Sequence, residues 1–190
     1  LGDKQGISIA LNLIGDLQSK MGEFDEAIET LEQAIQLSDQ LDYKKGKAKA
    51  VNTLGDVYFF LKDYKQSLKY YNQAIELTRI TQNQLVLGQS LHEKSLVLIV
   101  LEKYDEIMPV LEEATSIAYK LGNKQLLFQL SIAKADYLIA IEELEDAKRV
   151  IEQLEEEELT AESKGLVLCV KYQLTGADEF RAEALTILNT

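Results

Sequence analysis

The segment "ALNLIGDLQSKMGEFDEAIETLEQAI", Ala10 to Ile35, is written again as "AVNTLGDVYFFLKDYKQSLKYYNQAI", Ala50 to Ile75, forty residues on. A fixed period of this length restricts the fold more than any single residue does. Each unit must be one supersecondary element that buries its apolar face only against its neighbours. The step persists down the chain. Met21-Gly-Glu-Phe24 recurs as Leu61-Lys-Asp-Tyr64, Leu101-Glu-Lys-Tyr104 and Ile141-Glu-Glu-Leu144, and "LGDKQ" at Leu1 returns as "LGNKQ" at Leu121.

Within each unit two segments with apolar residues at three-to-four spacing flank that short loop; in the first unit they run over about residues 6–20 and 25–41. Only one proline occurs in 190 residues, and good helix formers dominate, so the chain reads as all-α. Small residues recur where paired helices must approach: Gly15, Gly55, Ser95 and Ala135 on the first helix, and Ala27, Ser67 and Ala147 on the second, with Ile107 the exception. Large partners stand beside them at Leu31, Tyr71, Leu111 and Ile151. A third small set, Ala34, Ala74 and Ala114, fits against the next unit's first helix. Leu154 breaks that set, so the fourth unit is expected to pack differently. Pro109 predicts a kink or a late start in a second helix, because it lacks an amide donor.

Val51-x-x-Leu54-Gly55-x-x-Tyr58 followed by Ser67-x-x-x-Tyr71 resembles the tetratricopeptide repeat pattern, Trp-x-x-Leu-Gly-x-x-Tyr and then Ala-x-x-x-Phe. The first unit matches with Leu11, Ile14, Gly15, Ala27 and Leu31; the third and fourth keep the spacing but carry Lys94 and Lys134 where leucine is expected. The family's usual period is about 34 residues, so each unit here is about six residues longer. This long form is similar to the repeats of spindle-orientation scaffolds, kinesin light chains and bacterial peptide-sensing regulators of the Rap and PlcR kind. The resemblance implies a right-handed α-solenoid of about five antiparallel helix hairpins, forming a single domain over residues 1–190. The repeats would span about 6–41, 46–81, 86–121, 126–158 and 161–189, the last a shorter hairpin turning at Thr175-Gly176. Residues Leu1 to Gln5 read as the tail of an earlier linker.

A net charge of −12, from 32 acidic against 20 basic residues, repels a phosphate backbone and anionic lipid, which argues against nucleic-acid or membrane partners. One cysteine, Cys169, excludes an internal disulfide, and with one histidine, His92, it cannot supply a zinc site of the usual ligand count. No cofactor or metal is expected, and a reducing, cytoplasmic setting fits. "EEEE" at Glu155 to Glu158 reads as a solvated charge run. The chain lacks a G-x-S-x-G elbow, a phosphate-cradling glycine loop and an H-E-x-x-H pair, so it reads as a non-enzyme.

In a solenoid of this family the first helices line the concave wall, and ligands are sought there. Asn12, Asn52 and His92 occupy equivalent places, as do Asp16, Asp56 and Asp136, with Leu96 breaking the second row; Lys49, Phe59, Phe60 and Gln89 neighbour them. First helices spaced about 8–10 Å apart would meet every third residue of an extended peptide. Asparagine amides can both donate to and accept from a peptide backbone. The expected partner is a protein or peptide segment, extended or partly helical and basic or neutral. The same spacing also suits a solvated helix face. An interaction scaffold and the sensory half of a peptide-responsive regulator both fit, and terminal hairpins without evident polar caps admit self-association.

Overall fold

The computed structural model describes residues 3–156 and 159–188. Glu157 and Glu158 of the acidic run, Leu1 and Gly2 of the leading segment, and the last residue of the expected fifth repeat lie outside these. Among the described residues there are ten α-helices: α1 (Lys4–Met21), α2 (Phe24–Gln40), α3 (Lys44–Phe60), α4 (Tyr64–Thr81), α5 (Gln84–Val100), α6 (Ile107–Leu121), α7 (Lys124–Ala140), α8 (Leu144–Glu155), α9 (Ala161–Thr175) and α10 (Asp178–Leu188). A 3₁₀ turn, Tyr104–Glu106, precedes α6. Where the sequence reading takes the chain as one array, it packs as two compact units, Leu1–Leu101 and Glu102–Thr190.

The helices stop at regular places because the backbone turns left-handed there. Gly22, Asp42, Lys62, Gln82, Glu102, Gly122 and Glu142 all have positive φ, between 49° and 81°, and stand twenty residues apart. A left-handed residue just past a helix satisfies the last free carbonyls; the Gly22 amide, for example, donates to the carbonyls of Gln18 and Ser19. Five of the seven are not glycine, so each carries about 1–2 kcal/mol of steric cost that the packed helices on either side offset. Helix starts follow the same rhythm. Asp3, Asn83 and Asn123 each accept the backbone amide three residues on, at 2.9, 3.4 and 3.0 Å. Tyr43 holds the corresponding place before α3 without a side-chain cap, and its ring instead lies against Gly46.

In the first unit α1 packs on α2, α2 on α3, α3 on α4 and α4 on α5, while α1 also meets α3 and α3 meets α5. The expected small-against-large contacts are present. A Cβ at Gly15 would come within 2.6 Å of Leu31, and one at Gly55 within 2.7 Å of the Tyr71 ring. Between hairpins, Ala27, Leu31 and Ala34 of α2 close a core with Ala50, Leu54 and Val57 of α3, every one at most 1% exposed. Burying a leucine-sized side chain so completely contributes about 1.5–3 kcal/mol. A buried hydroxyl pair, Ser8 Oγ to Ser38 Oγ at 2.7 Å, ties α1 to the far end of α2.

In the second unit α6 packs on α7, α7 on α8, α8 on α9, α7 on α9 and α9 on α10. Ala135, Ile151, Leu154, Val167 and Val170 form its core. Leu154, which replaces the small residue of the earlier units, is buried here, and α8 stops after 12 residues where α2 has 17 and α4 has 18. Pro109 has the expected consequence. The counterparts of α6 begin at Phe24, Tyr64 and Leu144, whereas α6 begins at Ile107, three residues late, after the 3₁₀ turn. Proline then falls in the first helical turn, where its missing amide costs nothing.

The close approach in the second hairpin generates a stability prediction. Gly55→Ala is expected to destabilise the chain by about 1–3 kcal/mol, because the new methyl must displace the Tyr71 ring in a filled core. Urea unfolding followed by circular dichroism measures it, and an unchanged midpoint would contradict the packing described.

Candidate functional site

Lys49, Asn52, Asp56 and the Phe59-Phe60 pair follow one another at three-to-four spacing, so they share one face of α3, turned away from the face that packs on α2. Gln89 and His92 take the places of Lys49 and Asn52 on α5, and Asn12 and Asp16 take those of Asn52 and Asp56 on α1. All of these belong to the first unit. Asp136, on α7, belongs to the second.

The asparagine row differs from its expected role. The sequence reading sets it on an open wall, but Asn12 is only 5% exposed and His92 only 7%. The Asn12 Oδ1 accepts from Thr53 Oγ1 at 3.3 Å, and Asn52 Oδ1 accepts from Ser90 Oγ at 2.5 Å. Each amide thus reaches the next first helix and bridges α1 to α3 and α3 to α5. The physical reason is proximity: first helices that pack directly leave their facing polar groups no water, and those groups pair with each other. His92 lies within 3.3 Å of the Glu93 carboxylate through Nδ1.

The acidic row is quieter than its letters suggest. Asp16 is ion-paired with Lys20 at 2.9 Å on the surface of α1. Asp56 accepts a hydrogen bond from the Tyr71 hydroxyl at 2.7 Å. Burial pushes its pKa up to about 8, helped by the nearby charges of Glu93 and Asp16 and opposed by the Tyr71 hydrogen bond and Lys20. At neutral pH, then, Asp56 mostly holds a proton. The Tyr71 hydroxyl is shifted upward too, by burial first and then by Asp56 and Glu93. Burial alone lifts Asp136 to about 6.

What remains accessible is a mixed surface. Lys49 and Gln89 are exposed, Phe60 is 55% exposed, and Asp56, Phe59 and Glu93 are half-buried. Phe60 stacks on Phe24 with centroids 6.3 Å apart, Phe59 meets Phe60 edge-on at the same distance, and Tyr64 meets Phe59 at 5.6 Å. The aromatic group is held at the ends of α3 and the starts of α2 and α4. Sequence reasoning did not single out Glu93 or the Tyr71–Asp56 bond. A signal existed for the second, since a buried tyrosine hydroxyl needs a partner.

Among the described residues no cluster of three His, Cys, Asp or Glu side chains could hold a metal, and no helix is long and apolar enough to cross a membrane. Cys169 is a free, half-buried thiol on α9.

The Asp56 carboxyl sets a pH dependence. It keeps its proton in the folded chain up to about pH 8 and loses it near 3.8 when unfolded, so ionisation favours the unfolded state and stability falls as pH rises between these values. Asp136 contributes the same sign, but only up to about pH 6. Between pH 6 and 8 the decline is therefore assigned to Asp56, and Asp56→Asn is expected to flatten it. Thermal melts at pH 6, 7 and 8 decide; a variant that loses as much stability over this range as the parent refutes the assignment.

No curated protein matches the sequence. The tetratricopeptide repeat family model matches residues 6–80. Among solved structures, the nearly identical TPR-like repeats of a Podosopora anserina protein described as a kinesin light chain superpose with a TM-score of 0.73, at 16% identity, covering 100% of this chain and 96% of that one. A second crystal structure of those repeats gives 0.72 at 16% identity, covering 99% and 97%. The apo form of RapI gives a TM-score of 0.84 at 10% identity, covering all of this chain and 54% of RapI. At these identities the superpositions show a shared fold alone, an α-solenoid of helix hairpins. Residues 6–80 thus match the tetratricopeptide repeat family, and the helices pair as in TPR-like solenoids.

Proposed function

We propose that this chain is a non-catalytic scaffold that binds a peptide or protein segment across the first helices of its first unit, in the cytoplasm, where its single thiol stays reduced. Tetratricopeptide repeats generally mediate protein–protein interaction and are typically non-enzymatic, which supports this reading. The observation that carries the reading is the accessible face of α3 and α5. An exposed cation, Lys49, and an exposed amide, Gln89, sit at equivalent places, and the half-buried carboxyls of Asp56 and Glu93 and the exposed Phe60 ring lie further along. Aromatic and amide side chains on rigid helices offer an apolar anchor and backbone hydrogen bonds to a segment laid across them.

The chemistry of this face also describes the ligand. With Asp16 paired and Asp56 protonated, the first unit presents less negative charge at neutral pH than its composition implies, so a neutral segment is accepted as readily as a basic one. A lysine or arginine of the ligand placed beside Asp56 and Glu93 would draw the proton from Asp56. Affinity for basic ligands therefore rises from pH 7 to pH 9. Asn12 and Asn52 contribute by fixing the spacing of the first helices, His92 lies buried beside Glu93 on α5, and Asp136 offers a separate half-buried carboxyl on the second unit.

A second reading has the same surface serving as the sensory part of a regulator. The superposition on the apo form of RapI, at a TM-score of 0.84, supports it. The two readings differ in response: a sensor changes its dimensions when occupied, and small-angle scattering with and without ligand separates them.

A random peptide library selected on the immobilised chain, followed by calorimetry of the enriched peptides, tests the site. Lys49→Glu and Phe60→Ala are expected to weaken binding tenfold or more, while Glu76→Ala, exposed on α4, leaves it unchanged. Equal affinities for all four proteins would remove the proposed surface from consideration.

A further inference from the structure

Among the described residues α2 and α4 each pack on α3 but not closely on one another. The gap between them is a recess of about 550 Å³, within the ~300–1,000 Å³ range of small-molecule sites. Val51 and Leu54 of α3, 2% and 1% exposed, make its floor, and Ile35 of α2 gives it an apolar wall. Both ends are bounded. At one, the Lys47 ammonium donates to both carboxylate oxygens of Asp39, at 2.7 and 2.9 Å. At the other, the Tyr70 ring stacks on Tyr58 with centroids 5.2 Å apart, and both rings pack against the core that contains Leu54. Lys47 and Leu54 stand about two helical turns apart on α3, so the floor is about 10 Å long.

Charge is distributed unevenly along this recess. Asp39 is neutralised by Lys47, whereas among the described residues no cation is bonded to Glu32; the Lys69 ammonium lies instead over the Tyr70 ring, 5.5 Å from its centroid. Glu32 bears on the Tyr70 end. Burial first, then Tyr58 and Glu32, shift the Tyr70 hydroxyl above its ordinary value, so it keeps its proton. An apolar middle is thus flanked by one neutral end and one negative end. These features do not recur with the period: forty residues on, Glu32, Asp39, Lys47 and Tyr70 become Asn72, Arg79, Leu87 and Val110.

We propose that the recess binds a small aromatic amine, with its ring over Val51 and Ile35 between α2 and α4 and its ammonium at Glu32 beside Tyr70. An exposed ion pair contributes little by itself, so the head group selects the charge while the ring, by displacing water from the floor, supplies the attraction. A single alkyl stem, such as that of an arginine side chain, would leave most of the volume to water and forfeit those contacts; a planar bicyclic body fills more of it. Gln36 and Gln73 on the rim can donate to or accept from polar groups on the ring. Val51 and Leu54 belong to the side of α3 that faces α2, away from the Lys49–Phe60 face, and the proposal stands independently of that one.

The probe is tryptamine, titrated into the isotope-labelled full chain and followed by backbone amide chemical shifts. Saturable shifts are expected at Glu32, Ile35, Gln36 and Tyr70, with a dissociation constant on the order of 1 mM, as a ligand of about twelve heavy atoms allows. Glu32→Gln changes an exposed position, so circular dichroism should show the fold retained, and it is expected to weaken binding by about threefold or more. Glu76→Gln and Phe60→Ala, outside the recess, should bind tryptamine like the parent. Indole-3-acetate, the same ring with an anionic arm, is expected to bind at least about fivefold more weakly. Absence of saturable shifts at the recess, equal affinity for indole-3-acetate, or unchanged affinity in the Glu32→Gln chain overturns the proposal. So does tighter binding of N-acetyl-argininamide, which would give the recess to an arginine of a protein partner.

Discussion

Two surfaces meet wherever a second helix of this chain lies between its own first helix and the next one. On the near side Leu31 fills the notch left by Gly15, and Tyr71 the notch left by Gly55. On the far side the same Leu31, with Ala27 and Ala34, closes on Ala50, Leu54 and Val57. One large side chain thus joins a hairpin internally and stacks it on its neighbour. The proposed binding face follows from this arrangement, since α3 presents Lys49 and Phe60 outward while its opposite side is fixed against α2.

The polar residues obey the same geometry. First helices close enough to stack bring their facing amides and hydroxyls together, and Asn12–Thr53 and Asn52–Ser90 become rungs between helices. Tyr71 extends the logic through the core, with its ring in the Gly55 notch and its hydroxyl donating to Asp56, whose burial keeps the carboxyl protonated against the pull of that bond.

Much of the fold was legible in the residues. Helix pairs, their short turns and the small-against-large contacts are local properties, and a forty-residue period repeats each of them often enough to read. The late start of α6 followed from Pro109 alone. The roles of Asn12 and His92 were harder to see, because periodicity gives a side chain's angular position on its own helix but not the distance to the neighbour that buries it. Glu93 was missed because it falls where Thr53 and Leu13 stand in earlier units, so no row of like letters marked it.

The left-handed residues spaced twenty apart have an effect on how the chain comes together. They keep every connection between helices down to two or three residues through α5, so partners in the core are always near in sequence; the long-range Asn12–Thr53 rung spans 41 positions. Little loop entropy stands in the way of such contacts, and low contact order goes with fast assembly. A nascent chain emerging from the ribosome can complete the cluster around Leu31 and Leu54 once Tyr70 is out, before any residue of the second unit is made.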